Sequence, residues 1–181
     1  MAALKEEYLP HYTYEEYREW EGDWELIEGV PYAMAPAPMI RHQRISQKLA
    51  YLLEEALQQC KHCLALVAVD WKIAEDTVVQ PDNLVICHTP RHTAYLTQAP
   101  ALIFEILSPS TRTKDTGLKF SLYEREGVRH YAIVDPEERI VKIYRLNSEG
   151  RYMKVTDTHD ETIAFALEAC EITIDFSKLW S

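Results

Sequence analysis

Val78-Val79-Gln80-Pro81-Asp82 and Phe104-Glu105-Ile106-Leu107-Ser108, whose Glu105 lies 23 residues after Asp82, are the stretches on which the reading of this chain turns. Each sets one carboxylate in a mostly apolar run that reads as a strand. An unpaired charge is costly in such a place, so a buried acid points to an ion partner or a bound cation. Residues of equal parity share a face of a strand. Glu105 therefore points with Ile103 and Leu107, and Asp82 with Val78, Leu84 and Ile86. If the two strands are neighbours, the carboxylates converge, and their repulsion raises one pKa unless a divalent cation lies between them. Oxygen ligands of this kind suit Mg²⁺ or Mn²⁺, and a phosphodiester hydrolase uses such a cation to activate water and neutralise developing charge.

Outward from these stretches, the apolar positions set the expected elements. Thr13-Tyr14-Glu15-Glu16 fits a capping box, which predicts a short helix to about Trp20. Trp24 to Glu28 and Val30 to Met34 read as a hairpin turning at Gly29, ended by the proline-rich Ala35 to Pro38. Ile45, Leu49, Leu52, Leu53, Ala56 and Leu57 recur at helical spacing, predicting an amphipathic helix from Met39 to about Cys60 with His42 on the same stripe. Leu64 to Ala74 reads as one strand, Val78 to Cys87 as its return and Ala101 to Leu107 as a third. Thr89 to Ala99 reads as a loop. A helix follows from Lys114 to Glu126, closed by Gly127, then a hairpin at His130 to Asp135 and Arg139 to Leu146. Short strands near Tyr152 to Val155 and Ile172 to Ile174 lead to a last turn at Phe176 to Trp180.

Lys119 lies three and four residues before Leu122 and Tyr123, near the buried side of its helix. There it either joins the acids, pairing with Glu105 or orienting a water, or makes a structural ion pair with Asp115. His42 is likewise either a satisfied core residue or part of the site.

At 181 residues and 47% hydrophobic, the chain is expected to form a single domain over residues 1–181. No apolar run is long enough to span a bilayer, and Lys5-Glu6-Glu7 does not resemble a signal peptide, so a soluble, cytoplasmic protein is expected. Cys60, Cys63, Cys87 and Cys170 are expected to be isolated buried thiols, since Cys60-Lys61-His62-Cys63 has no second pair to complete a zinc site. The net charge of −10 argues against an avid, sequence-independent grip on nucleic acid. That charge is uneven: residues 1–30 hold nine acids and two bases, whereas residues 105–131 hold four acids and five bases.

Pro81-Asp82 and Glu105 resemble the PD-(D/E)XK nuclease pattern, except that Leu107 stands where its lysine belongs. Movement of that lysine to the following helix is a known variation, and Lys119 is the candidate. Nearly the whole chain resembles the Uma-two family of restriction-endonuclease-like bacterial proteins, abundant in cyanobacteria. The resemblance is carried by Thr13 to Glu19, Trp24 to Gly29, His42 with Ile45, Asp76 to Asp82, Glu105 to Thr111, Asp115 with Lys119 and Tyr123, and Gly127 to Tyr131 ahead of Val134-Asp135-Pro136. It implies an α+β (α/β) restriction endonuclease-like core, a mixed sheet flanked by helices, with an N-terminal helix and hairpin. It implies Asp82 and Glu105 as metal ligands, Lys119 as the displaced lysine, Glu28 and His42 as further site residues, and Gln80 completing the pocket through its amide. The implied activity is Mg²⁺- or Mn²⁺-dependent cleavage of DNA, with a homodimer for duplex cutting. The alternative is a nuclease-like scaffold that binds a protein or nucleic-acid partner without cutting.

Overall fold

The computed structural model describes residues 9–34, 39–92, 94–168 and 170–181. The readings at Lys5 to Glu7 and at Ala35 to Pro38 lie outside them. The capping box forms as expected: the Thr13 amide and hydroxyl both donate to the Glu16 carboxylate, at 2.8 and 3.0 Å, and start α1 (Tyr14–Tyr17). Strands β1 (Trp24–Ile27) and β2 (Val30–Ala33) pair through a Glu28-Gly29 turn whose φ values of 51° and 77° are the positive pair a type I′ turn needs. A Cβ on Gly29 would fall 2.1 Å from the His11 ring. Gly29→Ala is therefore expected to cost about 1–2 kcal/mol, lowering Tm by roughly 2–8 °C for a chain of this size. An unchanged melting curve by circular dichroism would exclude that strain.

Helix α2 (Ile40–Ala56) buries Ile45, Leu49, Leu52 and Leu53, the stripe read from spacing, and ends in a 3₁₀ turn at Leu57–Gln59. The expected strand at Leu64 to Ala74 is instead two: β3 (Leu64–Val67) and β4 (Asp70–Ala74), broken at Ala68, whose φ is 47°. Its return is also two: β5 (Thr77–Val79) and β6 (Asn83–Ile86), with Gln80-Pro81-Asp82 in the crossing between them. Pro81 has no N–H to give a ladder, which favours a break there. Each break moves the chain from one sheet to the other. The loop after β6 contains a two-residue strand, β7 (Tyr95–Leu96), before β8 (Leu102–Ile106). A π-helical turn at Lys114–Leu118 runs into α3 (Lys119–Arg125), and Gly127, at φ 81°, closes it. Then come β9 (His130–Asp135), β10 (Ile140–Leu146), β11 (Tyr152–Thr158), β12 (Thr162–Ala166), β13 (Glu171–Asp175) and a 3₁₀ turn at Phe176–Leu179. Of these, β12 was not anticipated.

The strands form a six-stranded sheet in the order β11-β10-β9-β8-β6-β3, a five-stranded sheet β2-β1-β5-β4-β7 and the β12-β13 hairpin. Pairing is antiparallel except for β8 with β9 and β4 with β7. The sheet is mixed and flanked by helices, so the fold class is α+β as expected. Alternation along β8 divides the core. Leu102, Phe104 and Ile106 pack with α2, with Phe165 of β12 and with Phe176 of the last 3₁₀ turn. Ile103 and Leu107 face the other way, with Tyr123, Tyr131 and Trp71. Glu105 shares that second face. No helix among the described residues is long and apolar enough to cross a membrane.

The cysteines depart from expectation. Cys60 is bonded to Cys170 and Cys63 to Cys87, and none is free. Spacing along the chain conceals this because the partners stand 110 and 24 residues apart. The β3–β6 register, which sets Leu64 against Ile86, places Cys63 opposite Cys87.

Candidate active site

Where the two sheets meet, five short segments converge. The β6–β8 register sets Asn83 against Phe104, so Asp82 stands opposite Glu105, and the Asp82 amide lies 3.4 Å from Glu105 Oε2. The expected neighbours are indeed neighbours. Asp82 Oδ2 accepts from the Ile106 amide at 2.7 Å and lies 3.2 Å from His42 Nε2, at the first turn of α2. Asp82 and His42 are the open edge of the group, with side chains 19% and 16% exposed.

Lys119 is the hub. Its Nζ lies 2.8 Å from Glu105 Oε1, 2.6 Å from Glu25 Oε1 and 3.9 Å from Asp115 Oδ1, with all four residues buried. Lys119 thus meets both Glu105 and Asp115, the two partners expected as alternatives. Tyr123 adds a hydroxyl that donates to Glu105 Oε1 at 2.7 Å. Lys114 Nζ reaches the second oxygen of Glu25 at 2.5 Å. The π turn makes this possible. The Lys119 amide bonds back five residues to the Lys114 carbonyl, and that wider turn lets two lysines five apart reach one carboxylate; π turns of this kind are frequent at functional sites.

Four carboxylates around two lysines and one histidine leave acid in excess. Burial, aided by Asp115, Asp82 and Glu25, pushes Glu105 well above the usual carboxylate range despite Lys119. Burial also raises Asp115, to about 6, with Asp82 and Glu25 adding to the effect. Burial opposes ionisation of Glu25, but Lys119 and Lys114 hold it below its ordinary value. Burial disfavours the Lys119 ammonium, yet Glu105, Glu25 and Asp115 keep it protonated. For His42, burial is outweighed by the hydrogen bond and charge of Asp82, and its pKa rises. Glu25 is satisfied by its lysines and by the Gln80 amide at 2.9 Å. Asp82, Glu105 and Asp115 are thus left to share Lys119 and His42 among three carboxyls. Asp82, at the opening, and Glu105 opposite it are a pair of hard oxygen donors, and Mg²⁺ or Mn²⁺ takes one or two carboxylates of this kind with the rest of its shell from water and phosphate.

Two residues fall elsewhere than expected. Glu28 is 61% exposed and pairs with Arg125 at 2.8 Å, outside the cluster. The acid from the first hairpin is Glu25, which shares a face of β1 with buried Ile27. Strand parity marks Glu25 as buried in the same way as Glu105. Gln80 contributes its backbone N–H, while its side-chain amide donates to Asp70 at 3.1 Å rather than into the cluster.

The loop from β8 to the π turn is anchored from below. Arg112 Nη1 donates to Asp135 Oδ2 at 2.9 Å, and Asp135 Oδ1 accepts from the amides of Glu137 and Glu138 at 3.1 and 3.3 Å. Despite burial, these donors depress the Asp135 pKa. A depressed carboxyl contributes stability that is present above its unfolded value of 3.8 and is lost as pH falls through the folded value. Asp135→Asn should thus cost about 1.5–3 kcal/mol at pH 7, with the gap from wild type closing below 3.8. Urea unfolding at several pH values measures this; a gap of constant size would refute it.

Known proteins resemble this chain in sequence and in fold. Residues 14–175 match the model of the Uma2 family, described as "Putative restriction endonuclease". An uncharacterized protein of Synechocystis sp., slr1290, is 30% identical over 162 residues, covering 80% of each chain. The crystal structure of a putative nuclease belonging to DUF820 from Anabaena variabilis shares the fold, with a TM-score of 0.73 at 18% identity over 93% of this chain and 97% of that one. With its buried acids and lysine at the meeting of two sheets, this chain belongs to the Uma2 family.

Proposed function

We propose that this protein is a metal-dependent endonuclease that hydrolyses DNA phosphodiester bonds, with Asp82 and Glu105 holding a Mg²⁺ or Mn²⁺ ion and Asp115 close by. The observation that carries this reading is the salt bridge of buried Lys119 to Glu105, 2.8 Å long, with Glu105 directly opposite Asp82. A lysine from the next helix thereby pairs with Glu105, where the nuclease pattern has its lysine on the strand.

When bound, the cation would polarise the phosphate and lower the pKa of a water to generate the nucleophile. The chain's own groups have separable tasks. Lys119, held protonated by three acids, is no general base; it supplies a fixed positive charge that offsets the negative charge building on the phosphate oxygens in the transition state. Glu25 and Tyr123 position it and Glu105, and the Ile106 amide and His42 set the rotamer of Asp82. A homodimer would present one such centre to each strand of a duplex.

The test is conversion of supercoiled plasmid to nicked circles by purified protein. Nicking should need Mg²⁺ or Mn²⁺, stop with chelator and be absent from Asp82→Asn. The net charge of −10 favours a second reading, a scaffold that holds a partner without cutting, because weak phosphate attraction limits unaided DNA binding. Calorimetric Mn²⁺ binding without nicking on duplex, single-stranded or RNA substrates would establish that reading instead.

A further inference from the structure

All four cysteines gather at the end of α2 remote from His42. Cys60 and Cys63 bracket a tight turn in which the Cys63 amide bonds the Cys60 carbonyl at 3.0 Å, following a Cys60 amide bond to Leu57 at 2.8 Å. Cys87 faces Cys63 from the end of β6, with Cα atoms 4.0 Å apart. Cys170 comes from the turn between β12 and β13, 6.0 Å from Cys60 by Cα. The ends of such a turn lie within about 7 Å of each other. Three separate parts of the fold thus bring two disulfides to the two ends of one tight turn. Cys60 and Cys63 are buried and pack in the main core, with Cys87 and Cys170 partly buried against it. Eighteen residues of helix and turn, about 27 Å at helical rise, separate Cys60 from His42, so this cluster is independent of the acidic site.

A C-x-x-C turn plus two further cysteines is the ligand set of a structural zinc site, which is tetrahedral and closed, with Zn–S bonds of about 2.3 Å. Oxidised, every sulfur is spent in a disulfide, and no group of three or more His, Cys, Asp or Glu among the described residues is placed for a metal. Reduction changes the donor set. We propose that Cys60, Cys63, Cys87 and Cys170 bind one Zn²⁺ as a Cys₄ centre in the reduced protein. Two dithiol molecules would each give two electrons and two protons to one disulfide and leave as cyclic disulfides, yielding four thiols. Zinc then displaces four protons and closes four Zn–S bonds, a site of net charge −2. Cys87 and Cys170, partly exposed, give the reductant its entry. Both forms tie the end of α2, the β3–β6 edge and the C-terminal hairpin together. The hairpin thereby stays clamped in a reducing environment, where disulfides do not persist.

The experiment uses the full chain, reduced anaerobically with dithiothreitol, freed of reductant and titrated with Zn²⁺ against a chromophoric chelator. One equivalent per chain is expected, with a higher Tm on binding. Co²⁺ should give the thiolate charge-transfer and tetrahedral d–d bands of a CoS₄ centre. Cys87→Ser/Cys170→Ser should bind at least tenfold more weakly, and untreated oxidised protein, lighter by four hydrogens, should bind none. Reduced wild type that keeps its native circular dichroism but takes up no zinc overturns the proposal. So does uptake that the double variant retains in full.

Discussion

Asp82→Asn should lower metal-dependent plasmid nicking by more than about a hundredfold while the fold survives. Groups that merely brace a metal ligand are worth roughly 10- to 100-fold, and a ligand itself should exceed them. Asparagine is the informative replacement because its carbonyl oxygen can still accept from the Ile106 amide, a 2.7 Å bond that joins the β5–β6 crossing to the end of β8. Alanine would leave that amide without its acceptor and mix folding with chemistry. Calorimetry should show Mn²⁺ affinity falling in step with nicking, and the melting temperature should move little. Retained metal-dependent nicking by Asp82→Asn would remove Asp82 from the chemistry.

Lys119→Met should destabilise the protein by about 3–5 kcal/mol, the usual cost of removing one partner from a buried ion pair. The ammonium contacts Glu25 at 2.6 Å and Glu105 at 2.8 Å, each side chain no more than 3% exposed. Methionine fills similar volume, so the loss is electrostatic rather than a cavity. For a chain of this size the drop in Tm is roughly 6–20 °C. Lys114 still serves the far oxygen of Glu25, and Tyr123 still donates to Glu105, so Glu105 is the acid left most exposed to its neighbours. Adding Glu105→Gln should therefore recover part of the loss, a coupling read from a double-mutant cycle. If Lys119→Met melts with wild type, the buried charge is not what holds the two sheets together.

Asp82, Glu105 and Lys119 were legible in the chain because each breaks a local rule: a charge in an apolar run, or on the buried side of a helix. Glu25 obeys the same logic, whereas the resemblance implies Glu28, a difference of three residues that puts one acid at 0% exposure and the other in solvent. Lys114 was invisible for another reason. Helical spacing assumes 3.6 residues per turn, and only the π turn brings it beside Lys119. The breaks at Ala68 and at Pro81 were also missed. An apolar run reads as one strand whether or not it changes sheets, because both halves are buried.

The sequence by itself determined the pairing of an acidic centre with a lysine, the main helices with their caps and the α+β class, all of which follow from the periodicity and charge of neighbouring residues. Only the tertiary structure decided which acid from the hairpin joins Lys119, that Gln80 braces Glu25 rather than lining the pocket, and that four cysteines meet. Those outcomes depend on register and sheet crossing, where contacts between residues 24 to 110 positions apart are made. Local sequence patterns carry no record of such distances.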